Sequence, residues 1–385
     1  MADGSRIFAP AAPALVTGRA PRVAIVHYWL TGMRGGERVL EALCRRFPEA
    51  DLFTHVAAPE RLSQTLRAHR ITETRIARLP FARRLYQKYL PLMPAALEAL
   101  DLSAYNLVIS SEAGPAKGVI PRPDAPHLCY CHSPMRYLWD QAPAYRRDAG
   151  PLTRAAYDGF APGLRRWDVT SAARVDRFLA NSSHVAQRIG KYWRRDAQVL
   201  HPPVDTAAFA PVPRRDLGAY YLWAGELVPY KRPDIAIEAF RQLDLPLIVT
   251  GGPEHTARTL ARTAGARTQV LGPVGFARLR ALMARCRALI FPGEEDFGIV
   301  PVEVMASGRP VIAYGRGGVR DSVIEGETGW FFDRPGAEAL ADLVARCERE
   351  AAWDLDPDAC IARAALFAPS RFNAGLERAL SELGI

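Results

Sequence analysis

The stretch PGEEDFGIVPVEVMASGRP, residues 292–310, decides the fold class of this chain. It follows the apolar run Ala288–Phe291, which predicts a buried strand. It contains Pro301–Ala306, which predicts a helix, and it ends where Pro310–Ala313 predicts a second strand. A strand, a helix and a strand in close succession are typical of a parallel βαβ unit.

The same alternation extends toward the N-terminal side of this unit. Further apolar runs predict strands at Tyr220–Ala224, Leu245–Thr250 and Val270–Leu271. Amphipathic stretches predict helices at Pro233–Gln242 and Phe276–Arg287. The second half of the chain therefore predicts a doubly wound parallel sheet.

The first half repeats this organisation. Strands are predicted at Arg22–His27, Leu107–Ser110, His127–Cys131 and Arg177–Ala180, and an amphipathic helix at Glu37–Phe47. The run HPPVDTAAFAPVPRRD, residues 201–216, holds four prolines and little periodicity, which predicts a hinge. We therefore expect an α/β protein with two Rossmann-like, doubly wound parallel-sheet domains that face an inter-domain cleft.

The predicted domain organisation has five segments. They are a flexible N-terminal tail at 1–20, an N-terminal Rossmann-like domain at 21–205, a hinge at 206–216, a C-terminal Rossmann-like domain at 217–368, and a C-terminal helix at 369–385 that packs back toward the N-terminal domain.

Composition and charge narrow the class of protein. The chain has 385 residues, of which 49% are hydrophobic and 24% charged, as in a soluble globular protein. No run reaches the length of a membrane-spanning helix. Residues 1–210 hold 29 Lys and Arg against 18 Asp and Glu, a net charge of +11, whereas residues 211–385 have a net charge of −2. A basic first half leaves nucleic acid, a membrane surface and a phosphorylated substrate open.

The N-terminus and the cysteines indicate a reducing compartment. Pro10 and Pro13 interrupt the apolar stretch near the N-terminus, and Asp3 precedes it, so a secretory signal is not expected. The six cysteines form no CxxC pair, which favours reduced thiols over a zinc site. Cys129 and Cys131 alternate along one predicted strand, an offset that suits packing.

Two glutamates stand out in the opening stretch. Glu295 follows the predicted strand Ala288–Phe291, and Glu303 falls in the first turn of the predicted helix Pro301–Ala306. A carboxylate in either place can accept hydrogen bonds from a ligand's hydroxyls, and Gly298 permits a close approach of the backbone to an anionic group. An ordinary acidic loop with a capping glutamate is the alternative.

These motifs together resemble the retaining glycosyltransferases of family 4, which have the GT-B fold. Residues 292–310 are similar to the family's Glu-x7-Glu signature, and Gly32 with the run 35–38 (GGER) is similar to its glycine loop. The similarity to the WbaZ-like mannosyltransferase subgroup is carried by SPMRYLWD (133–140), ANSSHVA (180–186), HPPVD (201–205), AGELVPYKRPDIAIEAF (224–240) and GGVRDSVIEGETGWFF (317–332).

The resemblance implies roles for individual residues. His132, Glu295 and Lys231 are the expected catalytic residues: the histidine contacts the transferred sugar, the glutamate its 3- and 4-hydroxyls, and the lysine the leaving diphosphate. Glu303 is expected on the ribose. The remaining expected donor-binding residues are Gly35, Gly36, Arg232, Phe297, Gly298, Ile299 and Val300. On local sequence alone, Gly35 and Gly36 also fit a plain tight turn, and Arg232 also fits a solvated side chain.

The sequence departs from the family at Glu226. Many relatives have an arginine five positions before the lysine, where it clamps phosphate together with that lysine. An anion cannot take over this task, so Arg34 and Arg232 are candidates for it, or Lys231 supplies more of the charge. Double displacement and same-face substitution both remain open as mechanisms, and the resemblance favours the second.

A basic segment in the first half suits an acceptor or a membrane surface. Residues 75–94 place Arg78, Arg83, Arg84 and Lys88 among aromatic and aliphatic side chains. A surface helix that packs its apolar side on the first domain fits the same pattern.

The expected function is therefore transfer of a hexosyl unit, mannose from GDP-mannose, to a lipid-linked saccharide in cell-surface polysaccharide biosynthesis. The expected enzyme needs no metal or other cofactor, because the Asp-x-Asp strings at Asp354, Asp356 and Asp358 do not follow a strand. It is expected in the cytoplasm, peripherally associated with the inner face of the cell membrane, with no nucleic-acid partner. A GT-B sugar-nucleotide epimerase and a catalytically inactive sugar-nucleotide-binding protein are the alternatives.

Overall fold

The computed structural model describes residues 21–350 and 355–385. The predicted tail at 1–20, its expected lack of a secretory signal, and Asp354 of the first Asp-x-Asp string lie outside the described residues. The chain divides into two compact units. The first unit comprises the chain up to Leu179, together with Ile189–Gln198 and Asn373–Ile385, and the second comprises Ala180–Arg188 and Val199–Phe372.

The first unit is built on a seven-stranded sheet in the order β3-β2-β1-β4-β5-β6-β7. The strands are β1 (Val23–His27), β2 (Asp51–Thr54), β3 (Ile71–Glu73), β4 (Leu107–Glu112), β5 (His127–Cys131), β6 (Arg177–Ala180) and β7 (Gln198–Val199). The helices that accompany it are α1 (Gly35–Arg46), α2 (Gln64–Arg67), α3 (Ala82–Leu85), α4 (Met93–Glu98), α5 (Ala142–Asp148), α6 (Pro151–Ser171) and α7 (Ser183–Trp193).

The second unit is built on a six-stranded sheet in the order β10-β9-β8-β11-β12-β13. The strands are β8 (Tyr221–Ala224), β9 (Leu247–Thr250), β10 (Thr268–Gly272), β11 (Leu289–Phe291), β12 (Val311–Tyr314) and β13 (Gly329–Phe332). The remaining helices of the chain are α8 (Pro233–Leu243), α9 (Glu254–Ala261), α10 (Phe276–Arg285), α11 (Ile299–Ala306), α12 (Val319–Ser322), α13 (Ala337–Arg349), α14 (Pro357–Ala365) and α15 (Pro369–Ser381).

The strands are short and apolar because both faces of each sheet are covered. Along β8, Tyr221 and Trp223 pack into one hydrophobic cluster, and Leu222 and Ala224 pack into another on the opposite face. Alternate residues of a strand point to opposite faces, so a strand with helices on both sides needs apolar residues at every position. The structure thus confirms the predicted α/β class with two parallel-sheet, Rossmann-like units.

The strand order fixes where ligands are expected. In the first sheet the order reverses between β1 and β4, and in the second between β8 and β11. In open α/β sheets, ligands bind at the carboxyl ends of the strands at such a switch point. Residues that follow β1, β4, β8 and β11 are therefore placed where each unit can bind a ligand.

The predicted and observed elements differ in several places. Strands β5 and β6 have the predicted bounds, and most other predicted elements shift by one or two residues. Four strands (β2, β3, β7 and β13) were not predicted. Helix α11 begins at Ile299, two residues before the predicted start at Pro301, which moves Glu303 into its second turn. The helix starts earlier because Gly298, with φ of 88°, ends the preceding loop directly before it.

The chain crosses between the units more than once. Residues 199–216, which include the predicted hinge, belong to the second unit, where Phe209 packs into the core and the backbone N–H of Val204 donates to the carbonyl of Phe367. Within the first unit, Glu377 of α15 forms an ion pair with Arg46, and Glu382 forms one with Arg177. None of the described helices combines the length and the apolar character needed to cross a bilayer.

Candidate functional site

Lys231 and Glu295 meet at the switch point of the second sheet. Lys231 ends the 3₁₀ turn that follows β8, and Glu295 lies in the loop after β11. The lysine Nζ lies 2.9 Å from Oε1 and 3.0 Å from Oε2 of the glutamate. Burial alone would lower the pKa of Lys231, but the charge of Glu295 raises it above its ordinary value. The pair therefore keeps a cation at this sheet edge at neutral pH.

Glycines bring the neighbouring loops close to this pair. A Cβ on Gly293 would lie 2.8 Å from the Cα of Lys231, and one on Gly318 would lie 2.1 Å from the carbonyl oxygen of Asp296. The backbone N–H of Gly318 also donates to the carbonyl of Glu295 at 2.8 Å. The backbone segments that carry Lys231 and Glu295 can therefore pack this closely only because positions 293 and 318 are glycines without a Cβ.

Helix α11 starts directly beside Glu295. Its first turn carries Ile299 and Val300, and its backbone N–H groups suit an anionic group. Glu303 is buried in the second turn. Phe297 is 3% exposed, and its ring lies 5.6 Å from that of His201 and 5.5 Å from that of Phe367. Phe297 is therefore a core residue that anchors the loop.

The other cations expected at the diphosphate have different places in the structure. Arg232 adopts a left-handed conformation, with φ of 53°, and its Nη2 lies 2.8 Å from Oδ2 of Asp234 in the same helix start. Glu226 is exposed, and its charge contributes to the raised pKa of Lys231. Arg34 is exposed and belongs to the first unit, where it precedes α1.

The first unit presents a hydrogen-bonded chain of two histidines and a serine at its own switch point. His27 ends β1 and pairs in register with Ser111 of β4, and His132 follows β5. The Ser111 hydroxyl lies 2.9 Å from Nδ1 of His27 and 2.8 Å from Nε2 of His132. A hydroxyl has one proton to donate, so the ring tautomers of the two histidines are coupled.

Glu37 favours one of the two tautomer arrangements. Its Oε1 lies 3.8 Å from Nε2 of His27, and its Oε2 accepts from the backbone N–H of Arg34 at 3.0 Å. Burial alone would raise the pKa of Glu37, but His27 and the backbone donors lower it, so this carboxylate is charged. A proton on Nε2 of His27 faces the charge, which makes Ser111 a donor to His27 and an acceptor from Nε2 of His132.

Gly36 lies against this chain. A Cβ at Gly36 would come 2.6 Å from Oη of Tyr28 and 3.7 Å from Nε2 of His132. Gly35 is the first residue of α1. The glycine loop and His132, predicted separately, are therefore neighbours in the first unit, because no side chain intervenes.

A buried charged cluster lies beyond this chain, and the sequence analysis missed it. Lys117 forms an ion pair with Asp168, and both side chains are inaccessible to solvent. Asp168 Oδ2 also accepts from Trp139 Nε1 at 2.8 Å and from Trp193 Nε1 at 2.7 Å. Glu112, next to Ser111, is equally buried, and burial raises the pKa of its carboxyl group to about 8.

The basic segment at 75–94 is not one continuous helix. It consists of 3₁₀ turns at Arg75–Arg78 and Tyr86–Leu92 and parts of α3 and α4. The break at α3 occurs because Phe81, before it, has φ of 52°. The basic side chains expected at an acceptor or membrane surface are exposed: Arg78, Arg83, Arg84 and Lys88. Phe81 is 77% exposed, whereas Leu90 and Met93 pack into the core of the first unit.

The described residues contain no group of three His, Cys, Asp or Glu side chains arranged to hold a metal ion. Asp356 caps helix α14, where its side chain accepts from the backbone N–H of Asp358. All six cysteines are free and buried, as the reduced-thiol prediction expects.

Two family models match adjacent parts of the chain. The model "Glycosyltransferase Family 4" matches residues 33–208, and the model "Glycosyl transferases group 1" matches residues 206–364. Together the two glycosyltransferase models cover residues 33–364 of the chain. The first match contains His132, and the second contains Lys231, Glu295 and Glu303.

The sequence relatives are also named as glycosyltransferases. The chain is 30% identical over 194 residues to a D-inositol 3-phosphate glycosyltransferase from Mycolicibacterium paratuberculosis, which covers 44% of each protein. It is 26% identical over 296 residues to an alpha-1,3/1,6-mannosyltransferase alg-2 from Neurospora crassa. This aligned region covers 63% of this chain and 60% of that protein. The chain thus spans about half the length of the curated relatives that it matches.

Solved structures share the fold. HepE from Anabaena, in complex with UDP, has a TM-score of 0.69 at 16% identity, with 94% of this chain and 100% of that chain covered. A sucrose-phosphate synthase from Thermosynechococcus elongatus has a TM-score of 0.70 at 18% identity, with 94% and 99% covered. These neighbours support the GT-B fold.

Proposed function

We propose that the chain is a retaining glycosyltransferase that moves a hexosyl unit from a nucleotide sugar to a lipid-linked saccharide. The observation that carries the proposal is the Lys231–Glu295 pair at the switch point of the second sheet, inside the segment that matches the glycosyl transferases group 1 model. A cation held in this place can stabilise the charge that builds on a leaving diphosphate.

The second unit binds the donor. The diphosphate lies toward Lys231 and the N-terminus of α11, where Gly298, Ile299 and Val300 present the backbone. Glu303 accepts hydrogen bonds from the ribose, and Glu295 accepts them from the sugar's 3- and 4-hydroxyls. Lys231 is the largely buried cation of this site, whereas Arg232 is more exposed and pairs with Asp234 at the helix start.

The first unit supplies His132 to the same reaction. The Ser111 hydroxyl bonds Nε2 of the His132 ring at 2.8 Å, and this hydrogen bond orients the ring. Gly35 and Gly36 leave room beside it. No step in this proposal uses a metal ion, and same-face substitution needs no protein nucleophile.

The donor is GDP-mannose in this proposal, and the subgroup is that of the WbaZ-like mannosyltransferases. Motif resemblance and the mannosyltransferase named among the relatives support mannose. The acceptor is lipid-linked, as the exposed basic segment with Phe81 suits a membrane surface on the cytoplasmic side.

Isothermal titration calorimetry with GDP, UDP and ADP tests the donor class. We expect tightest binding for GDP, with binding to Lys231→Ala weakened by about tenfold or more. Arg258→Ala, which removes an exposed ion-paired cation on α9, is the matched control and leaves binding unchanged. Equal affinity for the three nucleotides would contradict GDP, and no binding of any would contradict the donor site.

Turnover without an acceptor separates the alternatives. A sugar-nucleotide epimerase converts the donor to its C2 epimer when no acceptor is present. An inactive binding protein binds the donor but transfers no sugar. This alternative is tested because Glu226 stands where many relatives have an arginine.

A further inference from the structure

A cavity outside the sites described above lies between α5 and α6 of the first unit. Its volume is about 610 Å³. Four arginines line it: Arg146 and Arg147 from α5, and Arg154 and Arg165 from α6. Neither the motifs nor the proposed reaction accounts for this concentration of guanidinium groups.

Two of these arginines are fixed by backbone carbonyl groups. Arg154 donates to the carbonyl groups of Arg146 at 3.2 Å, and of Arg147 and Ala149 at 3.3 Å each. Arg165 donates to the carbonyl of Leu138 at 2.6 Å and to Oη of Tyr157 at 3.3 Å. Guanidinium groups held in this way lose little rotamer freedom when they bind a ligand.

The positive charge of the pocket exceeds its negative charge. Among the described lining residues, Asp158 is the one acidic side chain, and it forms an ion pair with one of the arginines. Arg146 binds both of its oxygens, at 2.7 Å each. The remaining three arginines leave a net charge of about +3 over the lining, which attracts a compact, multiply charged anion.

The two helices that form the pocket also carry exposed apolar side chains. Leu152 is 89% exposed and Tyr145 is 48% exposed. Tyr157 of the lining packs into the same hydrophobic cluster as Tyr86 and Tyr89 of the basic segment. A ligand with both a phosphate group and an apolar chain would find arginines and exposed apolar side chains on the same two helices.

We propose that the α5–α6 pocket binds the phosphate or diphosphate group of a ligand. Arginine forks match phosphate oxygens, and four arginines line this one cavity. A free diphosphate and a diphosphate on a lipid carrier present the same chemistry. Binding at this pocket is measured directly and needs no turnover. Its test is therefore independent of the test of the proposed transfer reaction.

Calorimetry with sodium pyrophosphate, and sedimentation with phosphatidylcholine vesicles with and without an isoprenoid diphosphate, test the proposal on the whole chain. Binding of pyrophosphate alone identifies a soluble ligand, and binding to the diphosphate vesicles alone identifies a lipid-borne one. Because the donor site also attracts diphosphates, both assays are run with the Lys231→Ala variant as the parent protein. No binding in either assay would overturn the proposal.

Three variants locate the binding. Arg147→Ala removes an exposed lining cation, and we expect about tenfold weaker binding. Asp158→Asn removes the competing carboxylate and releases Arg146, so we expect severalfold tighter binding. Arg166→Ala removes an exposed arginine of α6 that does not line the pocket, and it leaves binding unchanged.

The pattern of these results decides the outcome. Equal weakening by Arg147→Ala and Arg166→Ala, with no gain from Asp158→Asn, would show attraction by general surface charge and would overturn the pocket. Far-ultraviolet circular dichroism checks that each variant is folded. Should Arg147→Ala unfold the protein, the gain from Asp158→Asn still tests the proposal.

Discussion

Ser111 couples two histidines that stand 105 positions apart in the sequence, His27 and His132. Its hydroxyl is buried at the end of β4, so water does not replace a lost hydrogen bond there. Removal of the hydroxyl leaves the His132 ring without the partner that sets the position of its Nε2 proton.

We predict that Ser111→Ala lowers kcat by about tenfold to a hundredfold, with little change in the KM for the donor. The effect falls on kcat because the His132 ring loses the hydrogen bond that orients it. Steady-state kinetics measure both parameters.

Ser110→Ala is the matched control for Ser111→Ala. The Ser110 hydroxyl is equally buried and lies 2.9 Å from Nε2 of a different histidine, His127. We expect a comparable loss of stability but an unchanged kcat. The same kinetic effect from both variants would show that Ser111 acts through folding alone.

At the scale of elements, the loops after β8 and β11 place the donor site. The carboxyl ends of these neighbouring strands bring Lys231 and Glu295 together, although they lie 64 positions apart in the sequence. Gly293 allows the approach, since a Cβ there would meet the backbone of Lys231 at 2.8 Å.

We predict that Gly293→Ala weakens nucleotide binding by about tenfold, because the added methyl group displaces the lysine backbone. Calorimetry with the preferred nucleoside diphosphate measures the loss. Gly275→Ala is the control, since a Cβ there has no neighbour within 4 Å. Unchanged binding in Gly293→Ala would show that the loop approach is not needed.

The basic segment at 75–94 gives a second prediction at this scale. Arg83 and Arg84 are exposed on α3, directly after the exposed Phe81. We predict that Arg83→Glu with Arg84→Glu reduces the affinity for anionic vesicles by about thirtyfold or more at low salt, because each of the two basic residues contributes about 1 kcal/mol near the surface. Nucleotide binding stays unchanged.

Arg262→Glu with Arg258→Glu introduces the same charge change on the second unit and is the control for this prediction. We expect it to leave vesicle binding nearly unchanged. Equal losses from both double variants would mean that net charge, and not this segment, determines vesicle binding.

At the scale of the whole molecule, buried ionisable groups link folding to pH. Burial raises the pKa of Glu112 from 4.5 to about 8. Between these values the folded protein holds a proton that the unfolded chain has released, so the free energy of unfolding falls as pH rises. His127, whose pKa burial lowers to about 4, acts in the opposite sense below pH 6.5.

We predict that Glu112→Gln removes a pH-dependent loss of unfolding free energy on the order of 4 kcal/mol between pH 5 and 8. Urea unfolding at several pH values measures the free energy of unfolding of wild type and variant. Both proteins contain His127, so its contribution cancels in the comparison. Glu98→Gln is the control, since the pKa of Glu98 is lowered and its titration lies below this window. Parallel curves for wild type and Glu112→Gln would contradict the prediction.

Sequence patterns predicted the parts of this molecule that depend on local order. The apolar runs predicted the first and last residues of β5 and β6 correctly. The location of His132, Lys231 and Glu295 after predicted strands indicated them as candidate site residues. The Lys231–Glu295 pair and the Ser111 hydrogen bonds join distant positions, so no local pattern contains them. A signal for Ser111 existed, because Ser110–Glu112 is a polar run at the end of an apolar strand.

The most direct test of the central claim is transfer of label from isotope-labelled GDP-mannose to a bacterial membrane lipid extract. We predict that label enters the lipid fraction with equimolar release of GDP and with retained anomeric configuration, and that Lys231→Ala loses this activity. Formation of the C2 epimer without an acceptor, or no transfer from GDP-, UDP- or ADP-sugars to any lipid fraction, would contradict the claim.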